Sequence, residues 1–201
     1  PVQDYKLFEL FCVFSLIQSL QENTQERLQL KRIQPGSEEV AELEGPDRRV
    51  QVYYDEGGPL SFYSEYPKPA ELPEPTMSDE LYRIFYRQSR ALEAHSDLIE
   101  KFLSRGSRHS FYNGRPDYLV LDWNTDRDKD VLREVIIGEA KYTQSPSTFS
   151  NGLRELIEYV YFAQYADEFL FDEVLSENSV RGILCTDGVQ SEVSRVDQIQ
   201  H

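Results

Sequence analysis

The chain has 201 residues, a length that fits one domain with a sizeable hydrophobic core. Its 36 acidic and 21 basic residues give a formal net charge of −15. A surface of this charge repels other anions and is typical of proteins adapted to high salt, with an ordinary acidic protein as the alternative. Because no apolar run reaches about 18 residues, the sequence excludes a membrane-spanning helix.

The two cysteines, Cys12 and Cys185, lie in apolar segments and are predicted to be buried thiols, with a disulfide as the open alternative. This cysteine usage favours a cytoplasmic location. The chain begins at Pro1 rather than at a methionine and ends in a polar tail at His201. We therefore expect other domains or subunits of a larger protein as partners, and a homodimer stays open.

Residues 4–21 predict a buried helix, because apolar side chains occur nearly all round it. On a helical wheel, Glu9 lies among Tyr5, Cys12, Val13 and Leu16. A carboxylate in such a face must be paired, hydrogen-bonded or bound to a metal ion. A partner such as a tyrosine hydroxyl is the alternative that involves no chemistry.

Short strands are predicted next, at residues 28–33, 50–54 and 60–66, within an otherwise polar and acidic region. Residues 67–75 are rich in proline, and Ser78 is predicted to cap a long helix after them. We therefore predict one domain over residues 1–201, with a linker and a helix inserted at about residues 67–108.

The predicted inserted helix opens the most basic region of the chain. Residues 83–115 contain seven basic and three acidic side chains. Arg83, Arg87 and Arg90 recur at the spacing of one helix face. This face is either solvated, with local ion pairs, or a surface that binds negatively charged groups.

Residues 114–143 predict two strands joined by an acidic turn. In the second strand Glu139 and Lys141 share a face with apolar side chains, where unpaired charges are costly. If the strands pair, Asp117 approaches Glu139, and two carboxylates beside an ammonium suit a hard divalent cation and a phosphate. The aspartates near the turn lack the spacing of a calcium loop and are predicted to be solvated; they are Asp122, Asp126, Asp128 and Asp130.

A helix from Asn151 to about Asp167 and a buried strand at residues 180–186 are predicted to complete the chain. The order of elements is then a helix, strands, an inserted helix, a hairpin, a helix and a strand. This order predicts an α/β fold in which helices flank a mixed sheet.

Asp117 after Pro116, followed by Glu139-x-Lys141 on the next strand, resembles the PD-(D/E)xK nuclease superfamily. Glu9 resembles the glutamate that many members carry on their first helix. The segments FELFCVF, RPD and EAKY are also similar to McrC-type nuclease subunits of restriction systems. The resemblance implies a restriction-endonuclease-like αβββαβ core, with a central mixed sheet flanked by helices, plus the inserted helix.

The same resemblance implies Mg²⁺-dependent hydrolysis of DNA phosphodiester bonds by an endonuclease of a restriction or defence system, with Mn²⁺ as an alternative ion. Asp117, Glu139 and the Ala140 carbonyl would be metal ligands, and Glu9 would reach the metal through a water or a second ion. Lys141 would orient or deprotonate the attacking water. The expected DNA contacts are Arg83, Arg87, Arg90, Arg105, Arg108 and Arg115.

Two other functions stay open. The first is a protein-interaction adaptor that keeps the nuclease fold without catalysis, although the intact Asp117, Glu139 and Lys141 disfavour it. The second is a nuclease for RNA or branched DNA.

Overall fold

The structure is a computed structural model, and it describes two compact units, residues 1–62 with 114–201 and residues 63–113. Within these units it describes residues 3–24, 26–33, 39–65, 70, 82–87, 89–91, 94, 110–125, 130–171, 174–175, 179–189, 195–196 and 199–200.

In the described part of the chain, two helices and twelve strands have defined bounds. The helices are α1 (Asp4–Glu22) and α2 (Pro146–Phe162). The strands are β1 (Arg27–Leu30), β2 (Glu39–Glu44), β3 (Arg48–Tyr54), β4 (Tyr63–Glu65), β5 (Ser110–Asn113), β6 (Tyr118–Thr125), β7 (Asp130–Lys141), β8 (Gln164–Tyr165), β9 (Glu168–Phe169), β10 (Val180–Thr186), β11 (Arg195–Val196) and β12 (Ile199–Gln200).

The first unit contains an eight-stranded sheet in the order β1-β2-β3-β6-β7-β10-β12-β11. Neighbouring strands from β1 to β7 are antiparallel, whereas β7, β10 and β12 are parallel. The parallel pairing of β7 with β10 requires a crossover, and α2 lies within that connection. The prediction of an α/β fold with a mixed sheet is therefore confirmed.

The two helices cover opposite faces of this sheet. From α1, Cys12, Val13 and Ile17 pack in one core cluster with side chains that include Val120 and Ala140. Because neighbouring strand residues face opposite sides, Lys141 faces away from α1, and it contacts Glu155 of α2. No helix in the described part of the chain is long and apolar enough to cross a membrane.

The predicted hairpin is confirmed, since β6 and β7 pair antiparallel with Tyr118 opposite Gly138. The prediction of solvated aspartates near the turn is wrong at one position, because Asp122 is buried. Arg48 Nε donates to Asp122 at 2.8 Å, and Arg133 Nε donates to it at 2.7 Å. These ion pairs make the burial of the Asp122 carboxylate tolerable.

Two other sequence predictions were wrong in detail. The second helix begins at Pro146 rather than Asn151, because proline fits the first helical turn, and it ends at Phe162 where Ala163 becomes extended. Strand β2 was missed inside a region that looked polar. Its buried Val40, Ala41 and Leu43 alternate irregularly with glutamates because of a bulge between Glu39 and Ala41.

The second unit contains the antiparallel pair β4–β5 and helical residues at 82–87, 89–91 and 94. Residues 67–108, the predicted insertion, lie within this unit. Ser78, the predicted cap of the inserted helix, lies outside the described residues.

Candidate active site

The candidate site forms where β6 begins and β7 ends. Asp117 immediately precedes β6, and its backbone N–H donates to the Gly138 carbonyl at 3.1 Å. The Ala140 N–H donates to Asp117 Oδ2 at 2.8 Å. Strand pairing therefore brings the Asp117 carboxylate against the Glu139–Lys141 segment, with its orientation fixed by a backbone hydrogen bond.

Glu139 is a buried carboxylate, and only one of its two oxygens has a partner among the described residues. Only 3% of its surface is exposed. Its Oε1 pairs with Lys141 Nζ, whereas its Oε2 is buried without a hydrogen-bond partner among the described residues. Burial, followed by the charge of Asp117, raises the pKa of Glu139 to about 8. The Glu139 carboxylate is thus poised to gain from a nearby cation.

Asp117 shows a smaller shift of the same kind. Burial raises the pKa of Asp117 to about 6, although the Ala140 N–H favours the charged carboxylate. The Glu9 charge adds to the increase, and Lys141 opposes it. Asp117 is therefore coupled electrostatically to groups on both faces of the sheet.

Lys141 is held between two carboxylates. Its Nζ pairs with Glu139 and lies 2.7 Å from Glu155 Oε2 on α2. Burial disfavours the ammonium, but the hydrogen bonds to Glu139 and Glu155 outweigh burial and raise the pKa of Lys141. Gly152 leaves room for this side chain, because a Cβ there would lie 2.8 Å from Lys141 Cγ. Lys141 is consequently an ammonium at neutral pH.

Glu9 is buried on the α1 side and already has two partners. Its Oε2 accepts hydrogen bonds from Lys6 Nζ at 2.6 Å and from the Tyr54 hydroxyl at 3.0 Å. Burial, then Glu9, raises the pKa of Tyr54 to about 12, so this hydroxyl remains a donor. The tyrosine partner considered from the sequence is therefore present, and a lysine accompanies it.

The predicted DNA-contacting arginines are divided between the two units. Arg115, in the first unit, is exposed and lies 3.1 Å from Asp55. Asp55 is also 3.6 Å from Lys6, the partner of Glu9. In the second unit Arg83 is half-buried, and Arg87 and Arg90 are exposed. Arg105 and Arg108 lie outside the described residues.

Four residues at the site were missed in the sequence. Lys6 lies three positions before Glu9, a spacing that places both on one helix face, so the sequence did contain that signal. Glu155 and Tyr159 lie four apart on α2. Burial, then Glu139 and Glu155, raises the pKa of the Tyr159 hydroxyl. Nothing in the sequence indicates that Tyr54 is a partner of Glu9, because their contact depends on how α1 packs against β3.

The donor atoms suit a magnesium ion with few protein ligands. Among the described residues, no cluster of three or more His, Cys, Asp or Glu side chains is arranged to hold a metal ion. Mg²⁺ keeps several waters and commonly takes one or two carboxylates. Asp117, Glu139 with its unpartnered Oε2 and the neighbouring Ala140 carbonyl match that demand.

If the chain has the metal-dependent nuclease activity that the resemblance implies, Glu155→Gln is expected to slow cleavage about tenfold, because Lys141 loses one of its two anionic partners and its orientation. Single-turnover rates at saturating metal would measure this effect. Glu158→Gln on the same helix is the matched control, since Glu158 is exposed and 3.9 Å from Arg154. Equal rates in the wild type and Glu155→Gln would contradict a positioning role for Glu155.

Similarity to known proteins assigns neither a family nor a function to this chain. Comparisons of the chain with family models, with curated proteins and with solved structures find no match.

Proposed function

We propose that the protein is a Mg²⁺-dependent nuclease that hydrolyses DNA phosphodiester bonds and has a restriction-endonuclease-like core. The order α1, β3, β6, β7, α2, β10 supports this proposal, since it has the sequence helix, three strands, helix, strand. The three strands are antiparallel neighbours, and β10 is parallel to β7. This arrangement is the one expected for that core.

The observation that carries the proposal is the convergence of Asp117, Glu139 and Lys141 at one end of the β6–β7 hairpin. Two carboxylates with raised pKa values share the site, and one buried carboxylate oxygen has no partner among the described residues. Structural ion pairs usually satisfy such atoms. A site that leaves one unsatisfied favours the binding of a cation.

Asp117, Glu139 and the Ala140 carbonyl would hold Mg²⁺, or alternatively Mn²⁺, which when bound acidifies a water and neutralises phosphate charge. Lys141 remains protonated, so it orients the attacking water and offsets negative charge on the phosphate rather than acting as a base. The Ala140 N–H keeps Asp117 oriented throughout. Glu9 acts through Asp117, because Lys6 and Tyr54 both donate to its Oε2 and its charge helps to raise the pKa of Asp117.

The net charge of −15 has to be reconciled with a DNA substrate. High salt screens the repulsion, as in a protein from a halophile. Arg115 supplies local positive charge for the DNA backbone, and the arginines predicted to bind DNA at residues 83–108 would separately add to it. We further propose that the chain acts in a restriction or defence system of McrC type, where other domains or subunits deliver the DNA.

Cleavage of supercoiled plasmid at high salt tests the function directly. The wild type is expected to cleave with Mg²⁺ or Mn²⁺ and not with EDTA, and Asp117→Ala and Lys141→Ala are expected to lose cleavage. The surface variant Arg154→Ala is a control for handling and folding. Unchanged cleavage in both site variants would exclude this mechanism, and cleavage of RNA alone would reassign the substrate.

A further inference from the structure

Cys12 and Cys185 meet beside the candidate site, although nearly the whole chain separates them. They are the only two cysteines in the sequence, and both are free thiols. Cys12 on α1 is buried, and Cys185 on β10 is half-buried. Both thiols line one groove, Cys185 packs against the core cluster that contains Cys12, and the Tyr118 hydroxyl lies 3.3 Å from Cys185 Sγ.

The thiol pair can be reached from solvent through a groove of about 510 Å³. The groove is lined by both cysteines and by side chains of α1 and the end of β10, including Phe8, Leu16 and Thr186. A small reagent can therefore reach the thiols without unfolding the protein. Two cysteines that served only for packing would need neither a shared groove nor access to it from solvent.

The pair also links the elements that carry the candidate site. Cys12 follows Glu9 by three residues on α1, so both lie on the same side of the helix. Cys185 is paired with Ala140 in the β10–β7 register, and Tyr118 directly follows Asp117 in the sequence. A covalent bond between the thiols would consequently act on the surroundings of both Glu9 and Asp117.

We propose that Cys12 and Cys185 are a redox modification site, which a low-molecular-weight disulfide converts to an intramolecular disulfide that slows catalysis. The modification itself stands on the thiol geometry, whereas its effect on cleavage rests on the proposed function. The more accessible Cys185 thiolate attacks the reagent and releases one thiol. Cys12 then attacks the mixed disulfide and releases the second thiol, so that two protein thiols are oxidised and one reagent disulfide is reduced.

The effect on catalysis follows from the length of the new bond. A disulfide brings its sulfur atoms to about 2.05 Å, which is much closer than two free thiols can approach each other. Closing that gap draws α1 toward β10 and removes the thiol that contacts the Tyr118 hydroxyl. The Glu9 contacts with Lys6 and Tyr54 shift with the helix. The oxidised site is therefore disturbed around Asp117 while its metal ligands remain chemically intact.

Treatment of the full chain with oxidised or reduced glutathione, followed by intact mass measurement and thiol alkylation, tests the modification. The oxidised wild type is expected to lose two hydrogens, retain no glutathione and melt about 10 °C higher, because the new loop spans most of the chain. Cys12→Ser is expected to retain one glutathione on Cys185. Three results would overturn the proposal. They are glutathione retained on both cysteines, covalent dimers, and thiols that stay unreacted in the folded protein under conditions that oxidise the urea-unfolded chain.

Plasmid cleavage by the same samples tests the regulation. Oxidation is expected to slow cleavage about fivefold or more, with recovery on reduction. The double variant Cys12→Ser/Cys185→Ser should cleave equally under both conditions. Equal cleavage by oxidised and reduced wild type would overturn regulation. A reduced protein that never cleaves would overturn the proposed nuclease function, while the mass measurement would still decide whether the thiols form a modification site.

Discussion

Glu139→Gln is expected to abolish cleavage and at the same time to stabilise the metal-free protein at pH 8 and above. The carboxylate is 3% exposed, and its pKa is raised to about 8 by burial and by Asp117. Glutamine has nearly the same shape and can still accept a hydrogen bond from Lys141. The variant therefore removes a charge that the fold tolerates poorly but that the proposed metal ion would require.

The sign of the pH dependence follows from proton linkage. The pKa of Glu139 rises from an ordinary value of 4.5 to about 8 on folding, so between these values the folded state binds a proton that the unfolded state has lost. Stability of the wild type must then fall as the pH rises through this window, and level off above it. Since the glutamine of the variant does not titrate, its stability advantage should grow from near zero below pH 4.5 to about 2–4 kcal/mol above pH 8.

Urea unfolding in EDTA from pH 4 to pH 9 would measure this difference in stability. A second set of unfolding experiments adds Mg²⁺ in place of EDTA. The metal should stabilise the wild type at pH 8 in proportion to its binding, and it should leave Glu139→Gln unaffected. Glu134→Gln is the control on the same strand, since Glu134 pairs with Arg181 away from the site. A variant less stable than the wild type at pH 9 would contradict a buried, destabilising carboxylate.

The central hairpin could be predicted because its signal is local. Continuous apolar runs define both strands, and Glu139 and Lys141 stand out on an apolar face. Antiparallel pairing of consecutive strands then brings Asp117 to Glu139 with no further information. The same logic failed at β2, where a bulge disrupts the alternation and glutamates occupy the exposed positions.

The surroundings of the site could not be predicted, because they depend on contacts between distant elements. Glu155 reaches Lys141 only once α2 packs on β7, and Tyr54 reaches Glu9 only once α1 crosses β3. The meeting of Cys12 with Cys185 has the same origin. These contacts change the chemistry expected of the site, since they engage Glu9 and keep Lys141 protonated.

Gly138→Ala is expected to destabilise the protein by about 3 kcal/mol or more and to abolish cleavage without altering any candidate ligand. Gly138 lies opposite Tyr118, and a Cβ at this position would lie 1.9 Å from Cε2 of the tyrosine ring. Tyr118 is 1% exposed, so the buried ring has no free space into which it can move. The strain must instead separate β6 from β7 at the point where Asp117 meets Ala140.

Thermal unfolding of Gly138→Ala, of Tyr118→Ala and of the double variant would test this relation. Removal of the tyrosine ring relieves the clash, so the double variant should be less destabilised than the sum of the single variants. Gly45→Ala is the control for the loss of a glycine, because its Cβ would meet Glu26 Cγ at 2.9 Å, a far milder contact than the 1.9 Å at position 138. Additive losses in the double variant would show that the ring does not require glycine at position 138, and that packing of Tyr118 on this strand does not set the position of Asp117.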